Sequence, residues 1–167
     1  RIQTLGEDGV FYLRSDNFDK DYATGFDVTA NIRFAEWLLL NASTSMYHYR
    51  ITGILEEESF TRESTNWNGR ANATFNVSDN SRLQMTGYYR GPSVSAQGES
   101  KSMFFSDVSY RHQFFQKKLS ATLSIRDPLG TAKFERISYG DNFESYFRYS
   151  REPRVVRLTL SYKINNY

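Results

Sequence analysis

Along the last segment of the chain, Arg154 to Ile164, hydrophobic and polar residues alternate strictly. Val156, Leu158, Leu160, Tyr162 and Ile164 fall on one side, and Arg157, Thr159, Ser161 and Lys163 on the other. Side chains of an extended strand point alternately to its two faces, so this pattern predicts one apolar, uncharged face and one polar face. The same period recurs upstream. Phe26, Val28, Ala30, Ile32 and Phe34 alternate with Asp27, Thr29, Asn31 and Arg33; Trp67, Gly69, Ala71, Ala73, Phe75 and Val77 alternate with Asn66, Asn68, Arg70, Asn72, Thr74 and Asn76. Leu83, Met85, Gly87 and Tyr89 oppose Arg82, Gln84, Thr86, Tyr88 and Arg90. Phe104, Val108, Tyr110 and Phe114 oppose Asp107, Ser109, Arg111 and Gln113, and Leu119, Ala121, Leu123 and Ile125 oppose Ser120, Thr122, Ser124 and Arg126. A further strand from Trp37 to about Ile51 groups Leu38, Leu40, Ala42, Thr44 and Met46, and a weaker one runs from Ile2 to Arg14, interrupted at Glu7-Asp8-Gly9. The pattern thus predicts an all-β chain of about eight antiparallel strands with no helix.

The connections alternate in length. Ala35-Glu36, Ser78 to Ser81 and Phe115 to Lys117 read as tight turns. Ser15 to Asp21, Thr52 to Ser64, Gly91 to Ser102 and Pro128 to Pro153 read as longer loops, the last with room for a hairpin of Lys133–Tyr139 and Phe143–Tyr149. Short turns on one side and long loops on the other are how an outer-membrane barrel is laid out. Alternation by itself also suits a soluble antiparallel sandwich, which has one dry and one wet face as well. Three features favour lipid. Strands of roughly ten residues exceed the globular norm of about 5–6 and match a tilted bilayer crossing. Aromatic residues sit near strand ends: Phe34, Trp37, Phe75, Phe114 and Phe115. The opposite face, rich in Asn, Thr, Ser and Arg, suits a wet or plugged lumen.

Composition adjusts this picture in a few places. The 13 Phe and 12 Tyr against 3 Pro suit pleated strands. No apolar run approaches the roughly 18 residues of a membrane helix, which excludes a helical membrane protein but not a barrel. Lys and Arg total 21 against 19 Asp and Glu, so there is no electrostatic footprint for nucleic acid. The absence of cysteine removes disulfides and thiolate metal sites. The opening Arg-Ile-Gln-Thr reads as the interior of a longer chain or a processed product.

Candidate chemistry is sparse. His48 and His112 have no convergent ligands and read as solvated or interfacial, and Glu56 to Glu58 read as a solvated loop. Asn41, Asn72 and Asn76 match a glycosylation pattern but fall in or at the ends of strands. No nucleophile with its base, paired acid and base, or phosphate loop stands out, so neither an enzyme nor a cofactor is expected. Arg70, Arg82, Arg90, Arg111 and Arg126 are candidate lumen-facing residues, able to meet an anionic substrate or the carboxylates of a plug, or simply to line water. Leu158, Leu160, Tyr162 and Ile164 form an alternating terminal pattern that resembles the signal read by the barrel-assembly machinery, or else one more lipid-facing strand.

Several short motifs occur in a telling order: Asn17 with Gly25-Phe26-Asp27, then Tyr88-Tyr89-Arg90-Gly91-Pro92 with Gln97-Gly98, then Leu119 to Ile125 closed by Asp127, then Leu158 to Ile164. In that order they resemble the C-terminal barrel region of TonB-dependent outer-membrane receptors, most closely the outer membrane β-barrel family of Bacteroidota. The resemblance implies that residues 1–167 are the C-terminal portion of a plugged barrel of about 22 strands. The plug and TonB-box of that pattern are not in this sequence. It further implies TonB-driven import of a nutrient (glycan, peptide or metal chelate) across the outer membrane. The implied partners are membrane lipid, the receptor's own plug and remaining strands, TonB through the N-terminal part, and the assembly machinery. Two other expectations stand beside it: a self-contained small barrel with a structural or adhesive role, and a soluble ligand-binding β-domain.

Overall fold

The computed structural model describes residues 2–14, 20–55, 58–140 and 142–164. In chain order the strands are β1 (Ile2–Leu5), β2 (Phe11–Arg14), β3 (Lys20–Ala35), β4 (Leu38–Leu55), β5 (Glu58–Ser78), β6 (Ser81–Arg90), β7 (Ser93–Ser95), β8 (Gly98–Ser100), β9 (Met103–Phe114), β10 (Leu119–Arg126), β11 (Lys133–Gly140), β12 (Phe143–Ser150) and β13 (Val155–Tyr162). They form a seven-stranded antiparallel sheet in the order β13-β10-β9-β6-β5-β4-β3, a four-stranded sheet β12-β11-β8-β7, and the hairpin β1-β2.

Two expected elements are corrected. Ile2 to Arg14 is not a wall strand. Gly6 N–H donates to the Val10 carbonyl and Gly9 N–H to that of Gly6, both at 2.9 Å, and Gly9 takes a φ of 76°. That left-handed glycine turns the chain back on itself, so the wall has seven strands. Thr52 to Ser64 is not a loop either. β4 and β5 stay in register up to Leu55 opposite Glu58, with Ile51, Thr52 and Ile54 facing Arg62, Thr61 and Ser59. β-Branched residues on both strands favour continued pairing over a polar loop. Glu56, Glu57 and the Ser15–Asp19 connection with Asn17 lie outside the described residues. The expected hairpin between Pro128 and Pro153 is present as β11 and β12.

Register sorts the wall into two faces. Ile32, Leu40, Ala73, Met85, Val108, Ile125 and Val156 stand side by side across the entire seven-stranded sheet. The neighbouring row is Leu38, Phe75, Leu83, Tyr110, Leu123 and Leu158. Nothing in the described chain covers this face: Phe26, Trp67, Val156 and Leu158 are each more than half exposed. The only buried hydrophobic residues described are Ile51 and Ala96, neither of them on this face. A soluble sandwich would seal these residues against a second layer, and no such layer is described. Aromatic side chains mark both ends of the face, Trp37 against Phe75 at the turn end (ring centroids 6.2 Å) and Trp67 against Tyr89 toward the loop end (5.1 Å).

The long connections fold over the other, polar face at the loop end. β7 lies against β5, Gly91 N–H bonds to the Trp67 carbonyl at 2.7 Å, and Lys101 N–H to the Glu135 carbonyl at 2.9 Å. Here the two loops pair with each other, β8 with β11. Phe11 of the N-terminal hairpin meets Phe143 edge to face at 5.2 Å. The small core of the chain therefore sits inside the mouth of the wall, not between two layers.

Candidate functional site

The polar face of the wall is the surface that bears recognisable chemistry. Strand parity puts Asn31, Asn41, Asn72, Thr86, Asp107 and Arg126 in one row. Lateral hydrogen bonds satisfy part of this face: within the row Thr86 Oγ1 donates to Asn72 Oδ1 at 3.3 Å, and in other rows Gln84 Nε2 donates to Thr74 Oγ1 at 3.5 Å and Ser45 Oγ to Asp27 Oδ1. A hollow of about 510 Å³ follows this row, lined among others by Asn72, Gln84, Asp107 and Ser124.

All five arginines singled out from the sequence share this face, but they do not converge on one point. Arg70 stands opposite Ser43 and Tyr88, Arg90 opposite Asn68 and Met103, and Arg126 opposite Asp107 and Val155. Arg82 and Arg111 stand directly opposite each other on β6 and β9. Both line a second hollow, about 570 Å³, at the turn end. Arg82 Nε donates to Asn76 Oδ1 at 3.2 Å, and among the described residues neither guanidinium has a carboxylate within ion-pair distance. Glu36 and Asp79 line the same hollow. Like charges opposed across strands are unfavourable, so the pair is suited to holding an anionic group between its two forks. Arg157, placed on the polar side of the last strand by the sequence but not singled out with the five, also lines the first hollow from β13. Parity was the signal that marked it.

The histidines have local partners. His112 Nδ1 lies 2.7 Å from Ser81 Oγ, with its ring edge-on to Phe114, and His48 lies 3.4 Å from Thr65 Oγ1 and 3.9 Å from Glu63. Leu158, Leu160 and Tyr162 project from the uncovered face of the edge strand β13, and Ile164 follows just beyond it.

The motif residues are structural. A Cβ on Gly25 would run into the Met46 carbonyl of the paired strand, and one on Gly91 would come 2.7 Å from the Trp67 carbonyl. Gly98 has a φ of 146°, and a Cβ there would strike the Ile137 carbonyl. Gly98→Ala is therefore expected to separate β8 from β11, read as faster amide exchange in both strands with the wall unchanged. Asp127, 3% exposed, accepts the Thr131 and Ala132 N–H groups at 3.0 and 3.1 Å and closes the base of the second loop. Between the two loops, Glu135 pairs with Lys101 (3.5 Å) and Arg148 (3.4 Å). A hydrogen bond from the Tyr146 hydroxyl, together with these cations, holds the Glu135 carboxyl below its usual range.

Comparison with known proteins completes the site's context. The model of the outer membrane protein beta-barrel family matches residues 1–162. No curated protein and no solved structure matches the chain. The match spans every wall strand, with its uncovered apolar face and polar inner face. The chain belongs to the outer membrane protein beta-barrel family and is a component of the bacterial outer membrane.

Proposed function

We propose that the chain is part of the barrel wall of a TonB-dependent receptor that imports a nutrient across the outer membrane, a transport role with no enzymatic step. The observation that carries this reading is that the seven-stranded sheet is open: β3 and β13 are its two edges and pair with nothing further among the described residues. Both edge strands carry the apolar face. An unpaired strand edge is not tolerated in hydrocarbon, because each free N–H and C=O there costs several kcal/mol. In this reading further strands flank both edges and satisfy these groups, giving a barrel wide enough to hold a plug. The opposed Arg82 and Arg111 support the reading, since plug carboxylates would neutralise them. So does the order of the Gly25, Gly91, Gly98 and Asp127 motifs.

In this role the partners are membrane lipid on the apolar face, the remaining strands at both edges, and a plug on the polar face where Arg70, Arg82, Arg90, Arg111 and Arg126 stand. TonB engages through the receptor's N-terminal part. During biogenesis the assembly machinery reads Leu158, Leu160, Tyr162 and Ile164 on a strand whose edge is still free to pair.

The test is a cross-link. In the intact protein, Val28→Cys on β3 and Leu160→Cys on β13 should give no intramolecular disulfide on oxidation, because other strands intervene. Efficient cross-linking would mean that the two edges close on each other as a small self-contained barrel, and the receptor reading would fall. Uptake that persists after deletion of TonB would sink it as well.

A further inference from the structure

At the loop end of the polar face, a cavity of about 300 Å³ lies between β9, β10 and the β11–β12 hairpin. Its floor is carbon: Met103 and Phe105 from β9, and Phe134 and Tyr149, which face each other across the hairpin. These rings are flanked on the same faces, Phe105 by Tyr88 (centroids 5.1 Å) and Phe134 by Phe147 (6.2 Å). Its rim is charged, with Arg126, Arg151 and Glu152 all exposed and Asp107 half-buried. Among the described residues Arg126 and Arg151 have no ion pair. The Asp127 carboxylate also lines the cavity, but the Thr131 and Ala132 N–H groups already occupy it. Asp107 uses Oδ1 to accept the Asp127 N–H at 3.2 Å.

The distribution of charge and carbon selects a ligand class. A neutral sugar could stack a C–H face on these rings and reach the Tyr149 hydroxyl, but it would leave the charges of Arg126, Arg151, Asp107 and Glu152 without an ionic partner. A simple anion attracted by Arg126 and Arg151 would meet Asp107 and Glu152 as well. A zwitterion with an apolar side chain meets neither penalty. Its side chain fills the floor, its carboxylate reaches a guanidinium, and its ammonium reaches a carboxylate. The volume lies at the small end of ligand pockets, which suits one side chain with its flanking peptide groups.

We propose that this cavity is the outer capture site for a short peptide bearing an apolar or aromatic side chain. The inference names a substrate class for the import reading and rests on it.

Calorimetric titration of the intact protein in detergent micelles tests the proposal, with the dipeptide Leu-Phe, its N-acetyl C-amide derivative, benzoate and maltotriose as probes. Leu-Phe should bind, and loss of both terminal charges should weaken binding by about tenfold or more. Arg151→Gln, on an exposed position that should not disturb folding, should weaken Leu-Phe by a similar factor and leave the blocked derivative unchanged. Phe134→Ala should weaken both peptides. The proposal is overturned if Leu-Phe does not bind, if maltotriose or benzoate binds as tightly, or if Leu-Phe is indifferent to both substitutions. The two readings fail separately. Micellar binding without TonB-dependent uptake in cells would remove the import reading, while uptake of some other nutrient without peptide binding would remove only the capture site.

Discussion

Leu123→Arg should destabilise the protein in a bilayer by about 2–4 kcal/mol, while Ser120→Arg on the same strand should change stability by no more than roughly 0.5 kcal/mol. Leu123 lies near the middle of β10, on the uncovered face, between Tyr110 on one side and Leu158 on the other. A guanidinium there must either enter hydrocarbon or stretch the length of several residues to reach an interface, and its row offers no carboxylate and no polar group beyond the Tyr110 hydroxyl. Ser120 faces the polar side, between Gln113 and Ser161. An added charge there remains in water and stands directly opposite no like charge. Thr122 has the same parity as Ser120 but makes a poor comparison, because the register puts it directly opposite Arg111. Equilibrium refolding in phospholipid bilayers at graded urea reads both values. Equal losses at the two positions would mean that the two faces do not meet lipid and water, and every functional statement above would lose its footing.

Asp127→Ala should cost a further large amount, about 2–4 kcal/mol, from two sources. The first is hydrogen bonding. The Thr131 and Ala132 N–H groups lose their acceptor in a part-buried site, and unpaired buried donors each cost about 1–3 kcal/mol. The second is conformation. Asp127 has a φ of 45°, a left-handed geometry that aspartate tolerates better than alanine because its short polar side chain bonds locally. Asp127 also clamps the loop through its backbone: its N–H donates to the Ser106 carbonyl at 2.8 Å, and its carbonyl accepts the Arg154 N–H at 3.2 Å. Asp127→Asn retains an acceptor and the tolerance for positive φ, so it should lose less than half as much. Hydrogen exchange across residues 128–154, with thermal unfolding alongside, distinguishes the outcomes. If Asp127→Ala leaves both unchanged, the carboxylate is not the anchor of this loop. Because Phe134 and Tyr149 ride on the anchored hairpin, the same substitution should also weaken Leu-Phe binding.

The arginines illustrate how far residue spacing reaches. Parity alone puts Arg70, Arg82, Arg90, Arg111 and Arg126 on one face, since neighbouring side chains on a pleated chain cannot share a side. Parity does not say that Arg82 will stand against Arg111 while Arg126 stands against Asp107. That depends on how far each strand slides along its neighbour, and the slide is set by the connection between them, a long loop for β6 and β9 and a tight turn for β9 and β10. The β9–β10 turn holds Phe115, Gln116 and Lys117 at positive φ, although none of the three is a glycine. Nothing in their residue types announces that geometry. The capture cavity was invisible for a related reason: Met103 and Phe134 lie far apart along the chain, and they meet only because a loop hairpin folds back over the wall.

By itself, the sequence determined which side of each wall strand is dry and where the tight turns at Ala35-Glu36, Ser78–Ser81 and Phe115–Lys117 fall. Both are local consequences of the pleat and of turn-forming residues. Only the tertiary structure decided that Ile2–Arg14 turns away from the wall, that β4 and β5 stay paired to Leu55 and Glu58, and that β8 joins β11 over the polar face. Those outcomes rest on hydrogen bonds between segments distant in the chain. Their free energy depends on which edges are available once the rest has folded, and no window of neighbouring residues encodes that.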